Sequence, residues 1–361
     1  MDLFSQKSKS FGLDISDLCL RVANVEKRGK GFELVSFGCE TIKKGIVKDG
    51  EINNEDALAE AIRKALSNIK GKKIKTKNVV CSLPEEKSFL DVLQLPMLEE
   101  GEIAQAVRFE AVNHIPVPLE EVYFDFQVNK PVDANNKDKK IKTKEQNVLI
   151  AATPKDIVDA YSRVLKKAGL QAQVMEVEPL SIARALVKIN KITKPLLIID
   201  FGATRTSFII FSGYNANFAS TISVSSNELT EAIAEKLKIS SQKAEKMKKT
   251  NGLEGDKRIF DAMAPVLNNL TSQIKNYLDY YKSHIPSSVI VRDSKMDRIL
   301  LCGGGAHLMG LGDFLTSTFK IKVELANPWI NIKAIKQKGS PLDSFLGYPT
   351  ALGLALRGTQ L

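Results

Sequence analysis

The stretch LLIIDFGATRTSFIIFSGY, residues 196–214, runs apolar residues into an aspartate, turns on small residues, and runs apolar residues out again. Residues 196–199 and 208–211 are too short for helices and too apolar for a surface, so they read as two buried strands of one hairpin. Asp200 then stands at a strand end, beside a turn (Gly202, Ala203, Thr204) that presents backbone N–H groups. A carboxylate in that place is costly unless it is paired or turned toward a metal. N–H donors beside an oxygen ligand suit a phosphate and its magnesium ion.

The same pattern occurs earlier. FGLDISDLCLRVANV, residues 11–25, also runs apolar residues into an aspartate, a short turn and a second apolar strand, which makes Asp14 the counterpart of Asp200. Repetition at such long range predicts two related lobes rather than a solenoid. Two such turns facing each other clamp the phosphates of one nucleotide, with both aspartates holding Mg2+ through waters. Taken alone, either turn reads equally as an ordinary hairpin with a surface aspartate. A third signal follows in LCGGGAHLMGL, residues 301–311, where a strand runs into Gly303-Gly304-Gly305 and then a helix. Such a loop lets backbone approach a flat ligand closely. Three signals in this order predict a nucleotide site.

Composition sets the class. The 361 residues are 43% hydrophobic and 26% charged, ample for two lobes with real cores. No run of about 18 apolar residues predicts a membrane span. The first residues, MDLFSQKSKSFG, lack the apolar region of a signal peptide, so the expectation is a cytoplasmic protein. Cys19, Cys39, Cys81 and Cys302 lie in or beside apolar runs without a CxxC pair, and read as buried thiols in a reducing compartment. His114, His284 and His307 have no zinc-ligand spacing. The net charge of +10 owes much to two local runs: residues 129–147, read as a lysine-rich loop, and KGKKIKTK at 70–77. Neither interleaves aromatics with its lysines, which argues against nucleic acid and leaves attraction to a membrane surface open.

Leu58, Ile62, Leu66 and Ile69 predict a helix over about 54–69, and Ile103, Val107, Ala111 and Ile115 another over about 98–115. VYFDFQV and NVLIAA read as strands. Thr153 and Pro154 read as the N-cap and first-turn proline of a helix ending near Gly169. Between Pro84 and Gly169 the order strand, helix, strand, strand, helix is that of an α+β insertion. Ser225 and Glu228 read as a capping box. A short helix near 240–250 and a long one over about 256–284 follow.

Together these residues resemble the actin-like ATPase superfamily and, within it, the PilM family of type IV pilus assembly. The likeness extends beyond the nucleotide loops to LQLPMLEEGEIAQAVRFEAVNHIPVPLEEVYFDFQV (93–128), VLKKAGLQAQVMEVEPLSIARAL (164–186), NELTEAI (227–233) and NYLDYYKS (276–283). It implies an α/β, RNase H-like, actin-like ATPase fold of two related lobes with a 1C insertion of the kind shared with FtsA. Subdomain 1A would comprise 10–84 and 169–194, 1C 85–168, 2A 195–224 and 291–361, and 2B 225–290. ATP with Mg2+ is the implied ligand. Asp14, Ser16 and Arg21 would serve phosphate 1, and Asp200, Gly202, Ala203, Thr204 and Thr206 phosphate 2. Gly303, Gly304 and Gly305 would form the adenosine loop. Glu245 and Lys248 would reach the ribose and base, although the residues alone read as a solvated surface pair. Glu176, with Glu178, would stand near the attacking water; without the family the two read as acids at a helix start. Asp14 and Asp200 are the implied metal ligands.

The implied partner is the short cytoplasmic N-terminal segment of a PilN-like inner-membrane protein, held in a groove of 1A and 1C. Pilus motor or platform proteins and further copies of the chain are the other partners implied, with no nucleic acid. The protein would lie at the inner face of the cytoplasmic membrane, at most a slow ATPase and primarily a scaffold. Two departures stand out. Asp17 brings an extra negative charge to phosphate 1, and Ser225-Ser226 replaces a usual Gly-Gly before the 2B helix. A small-molecule kinase on the same fold lacks a dedicated base beyond Glu176. An FtsA-like division filament protein would need a C-terminal amphipathic helix beyond TALGLALR, and a chaperone would need a further domain.

Overall fold

A computed structural model describes residues 9–129, 145–188, 194–212, 215–283, 295–334 and 345–361. The first half runs β1 (Phe11–Ile15), β2 (Cys19–Arg28), β3 (Gly31–Thr41), β4 (Val47–Lys48), β5 (Glu51–Ile52), α1 (Glu55–Ser67), β6 (Lys70–Gly71) and β7 (Asn78–Leu83). Then come β8 (Phe89–Pro96), α2 (Glu100–His114), β9 (Val122–Asn129), β10 (Glu145–Pro154), α3 (Lys155–Lys167), β11 (Gln171–Val177) and α4 (Glu178–Leu186). The second half holds β12 (Leu196–Phe201), β13 (Thr206–Ser212), β14 (Asn215–Ile222), α5 (Ser226–Leu237), α6 (Ser241–Asn251) and α7 (Lys257–Ser283). It closes with β15 (Ile299–Cys302), α8 (Leu311–Phe319), β16 (Val323–Leu325) and α9 (Pro349–Gly358).

The repeat in the sequence is a repeat of topology. One sheet has the order β11-β7-β1-β2-β3-β6 and the other β14-β13-β12-β15-β16. In each, three antiparallel strands in chain order are extended, beyond the first of them, by two parallel strands. Parallel neighbours need crossover connections, which the helices supply. β1 is buried throughout and β12 is buried except at half-buried Asp200. Both strands therefore carry the unbroken apolar runs of a sheet covered on both faces. Their C-terminal ends, and that of β15, converge on one cleft.

The insertion is smaller than the sequence predicts. Its antiparallel sheet β8-β10-β9 and α2 enclose a separate core of Leu93, Leu95, Ile103, Val107, Val148 and Ile150. Helix α3, placed in the insertion by its position in the chain, instead packs Ile157, Tyr161, Val164 and Leu165 into the first lobe's core with Phe11, Leu58 and Ile62. Helix α9, assigned by sequence to the second lobe, lies against β1 and α4. A Cβ on Gly12 would meet the Ala351 carbonyl at 2.3 Å, and one on Gly353 the Ser181 carbonyl at 1.8 Å. Long-range packing decides both placements.

Three local expectations are corrected. β10 continues through Thr153 to Pro154, which pairs with Val122, and α3 starts only at Lys155. A residue before proline is held to extended backbone, so Thr153 prolongs the strand, and its hydroxyl bonds Ser88 at 2.8 Å. Of the lysine-rich stretch, Asn129 and 145–147 are strand residues, and the remainder lies outside the described residues, as does His284. Only Cys81 and Cys302 are buried; Cys19 is half-buried and Cys39 exposed.

Candidate functional site

Asp14 and Asp200 face one cavity of about 120 Å³ between the two sheets, together with Ser16, Arg21, Gly202, Ala203, Thr204, Gly303 and Gly304. The first turn is closed by Ser16, whose N–H and hydroxyl both donate to the Cys19 carbonyl, at 3.0 and 2.9 Å. Arg21 lies opposite Asp14 across the β1–β2 ladder and 3.6 Å from its carboxylate, and the Ser82 hydroxyl donates to Asp14 at 3.4 Å. The second turn is closed by the Gly202 N–H donating to the Arg205 carbonyl at 2.9 Å. Gly303 has φ +85°, and a Cβ there would meet the Asp200 carboxylate at 2.3 Å. Glycine is therefore required where the third loop passes over Asp200.

Burial raises the pKa of both aspartates. Asp200 is pushed up to about 6, with Arg21 opposing and Asp14 adding to the rise. Asp14 rises for the same reason against the pull of Arg21 and Arg205. Two carboxylates held in one cavity and incompletely neutralised are suited to a cation. No cluster of three or more His, Cys, Asp or Glu ligands occurs among the described residues. The donor set therefore fits a magnesium ion that keeps most of its waters, rather than a zinc or calcium cage.

Arg205 was not singled out by the sequence, yet it ties the cleft together. From the turn after β12 its guanidinium reaches Asp17 at 3.4 Å, Glu86 at 2.5 Å and Glu178 at 3.5 Å. Asp17 belongs to the first turn, Glu86 follows β7 and Glu178 opens α4. Asp17 turns neither to solvent nor to the cavity: it is buried and also accepts from the Gly50 N–H at 3.3 Å. Its extra charge is absorbed by Arg205. Burial lifts the Glu178 carboxyl well above its usual range despite that arginine.

Several expected residues do not line the cavity. Glu176 sits on β11 and is paired with Arg184, one bond of the fork being 2.6 Å, in a different depression. Glu178, two residues on, is the acid that reaches the cleft. Thr206 is buried and donates to the Val224 carbonyl. Gly305 packs on the Phe201 ring. Lys248 is buried, donating to the Ser226 carbonyl and the Thr230 hydroxyl at 2.7 Å each, with Glu245 at 2.7 Å. That pair fastens α6 to α5, so neither the nucleotide reading nor the solvated one describes it as it stands. Ser225 caps α5 through the Glu228 N–H, and the N–H groups of Ser226 and Asn227 donate to the carbonyls of Gly202 and Ala203. The helix start thus docks on the second turn without glycines.

A second depression, of about 620 Å³, lies between the insertion and the first lobe. β9 and β11 are the edge strands of their sheets, and both line it. Tyr123, Phe124 and Phe126 contribute from β9, Val174 and Met175 from β11, and Leu180 with the Glu176–Arg184 pair from the end of β11 and from α4. Asp125, Gln127, Thr153 and Arg357 also line it, so the channel is mixed in polarity, with a strand edge on each side.

Residues 12–359 match the family described as type IV pilus assembly protein PilM. The chain belongs to that PilM family. A solved PilM–PilN type IV pilus biogenesis complex is 27% identical, with a TM-score of 0.82 over 98% of this chain and 99% of the other. The cell division protein FtsA of Streptococcus pneumoniae serotype 2 (strain D39 / NCTC 7466) is 23% identical over 96% of this chain and 82% of the relative. MreB 5 of Spiroplasma citri bound to AMPPNP, at 16% identity and a TM-score of 0.54 over 98% and 96%, shares the fold. The chain thus has an actin-like ATPase fold of mixed α/β content. No helix among its described residues is long and apolar enough to cross a membrane.

Proposed function

We propose that this PilM-family chain is a nucleotide-dependent scaffold of the pilus machine. Its groove takes the cytoplasmic N-terminal segment of a PilN-like inner-membrane protein, and its cleft takes ATP with magnesium. The observation that carries the reading is the groove of aromatic, aliphatic and polar side chains between the edge strands β9 and β11. An added strand would bond to either edge through main-chain groups, while Leu180 and the aromatic rings of β9 receive alternate side chains. The Glu176–Arg184 pair, with Asp125, Gln127 and Arg357, offers polar anchors beside the rings. The partner named with the related complex supports the choice of peptide.

In the cleft, Asp14 and Asp200 would hold the ion through waters, and N–H groups of both turns would receive the phosphates. The ion would neutralise phosphate charge. Glu178 reaches the cleft but is tied to Arg205 at 3.5 Å, which favours slow or absent hydrolysis over a kinase.

Fluorescence anisotropy with a labelled peptide of the partner's N-terminal segment tests the groove. Saturable binding weakened in Tyr123→Ala, whose ring is half exposed on the groove, with the melting temperature held, is expected; no binding to the wild-type chain would sink the groove reading. Calorimetry with ATP, with and without magnesium, tests the cleft. Metal-dependent binding abolished in Asp200→Ala is expected, and metal-independent binding would overturn the role given to the aspartates.

A further inference from the structure

Cys19 lies opposite Thr41 in the β2–β3 ladder, and Arg21 opposite Cys39. Residues two apart on a strand share a face, so the two cysteines are diagonal neighbours on the face that carries Arg21. Each thiol lies close enough to influence the other's ionisation. Cys19 also lines the cleft, with its sulfur 3.3 Å from the Ser16 hydroxyl. Solvent reaches this pair, because Cys39 is exposed and Cys19 half-buried, whereas Cys81 and Cys302 are buried. Cys19 is the thiol that ionises first. The neighbouring Cys39 thiol brings it down to about 6 against the cost of burial, with Arg21 and Ser16 assisting. A partly open thiolate beside an arginine is the setting of a reactive cysteine.

We propose that Cys19 and Cys39 form an oxidisable pair at the mouth of the cleft, with Cys19 attacking and Cys39 resolving. The Cys19 thiolate attacks one oxygen of hydrogen peroxide, the O–O bond breaks, and the departing hydroxide takes a proton to leave as water. Cys19 is then a sulfenic acid. The Cys39 sulfur attacks that sulfur and the S–O bond breaks. The oxygen leaves as a second water, carrying the thiol proton of Cys39. Two thiols are oxidised by two electrons to one disulfide, and one peroxide is reduced to two waters. The new bond draws the Cys19 sulfur toward β3 and away from Ser16, disturbing the first lobe's turn. Weaker nucleotide binding in the oxidised form follows, a consequence that rests on the nucleotide reading above; the thiol pair itself does not.

The full chain is treated with one equivalent of hydrogen peroxide at pH 7 and mapped without reduction by mass spectrometry. A Cys19–Cys39 linked peptide is expected, with Cys81 and Cys302 alkylated only after unfolding. In Cys39→Ser, Cys19 should stop at the sulfenic acid and be captured by dimedone. In Cys19→Ser, Cys39 should give neither disulfide nor adduct. Absence of the linked peptide together with no adduct in Cys39→Ser would overturn the proposal, as would equal oxidation of all four cysteines. Calorimetry with magnesium ATP on reduced and oxidised chains separates the two readings. Binding at least tenfold weaker after oxidation supports the coupling, and equal binding refutes it. No binding by the reduced chain defeats the nucleotide reading, while the peptide map still decides the thiol pair.

Discussion

Buried acids around the cleft differ in how well they are paired, and Glu85 is among the least satisfied. It is buried beside Glu86, and its main donor is the Ser207 hydroxyl at 3.3 Å. Burial first, then repulsion from Glu86, pushes its carboxyl from 4.5 up to about 7. The folded chain therefore holds a proton that the unfolded chain releases between those two values. Its contribution to stability is favourable below about 4.5 and is lost as pH rises through 7. Glu85→Gln should accordingly stabilise the protein at pH 8 by up to about 3 kcal/mol, with the gain vanishing toward pH 4.5. Urea unfolding of both chains across that range checks it; a gain independent of pH would show that Glu85 does not titrate there.

Elements were legible in the sequence where a period or a turn dictated them, and illegible where a distant partner did. The apolar runs ending in Asp14 and Asp200 gave away both hairpins, and Gly303 the third loop, because strand burial and close backbone approach leave local marks. Arg205 left none: Asp17, Glu86 and Glu178 meet it only after the sheets assemble. Glu176 was preferred to Glu178 because nothing in MEVEP tells which acid faces the cleft. The deciding cue is Arg184, which α4 folds back onto Glu176. Helix α9 looked like a small-residue helix without an address, and Gly353 supplies it. Gly353→Ala would set a methyl 1.8 Å from the Ser181 carbonyl and force α4 and α9 apart. The expected loss is roughly 2–4 kcal/mol by chemical denaturation. Gly101→Ala, in exposed α2 with open space around it, should instead gain about 0.5–1 kcal/mol. Equal effects at the two sites would show that the α4–α9 crossing has slack.

At the scale of the molecule, the two lobes meet over a cavity of about 120 Å³, and ligand pockets usually need at least about 300 Å³. We propose that entry of a whole nucleotide parts the lobes. Arg205 spans the gap from the second lobe to Asp17, Glu86 and Glu178, so its ion pairs link the two lobes. Removing the arginine alone would strand buried Asp17 and Glu178 with half-buried Glu86 and cost about 3–5 kcal/mol, confusing opening with unfolding. Arg205→Gln combined with Glu86→Gln removes a matched pair and leaves the fold a better chance to persist. In that double variant the lobes should separate more often. Amide exchange at Gly50, whose N–H donates to Asp17, and in the turn 202–205 should be at least about tenfold faster, equivalent to about 1.4 kcal/mol. Association of a fluorescent ATP analogue should quicken in step, since opening precedes entry. Faster exchange without faster association would place the gate elsewhere. Unchanged exchange would mean that apolar contact between the lobes holds them without help from Arg205.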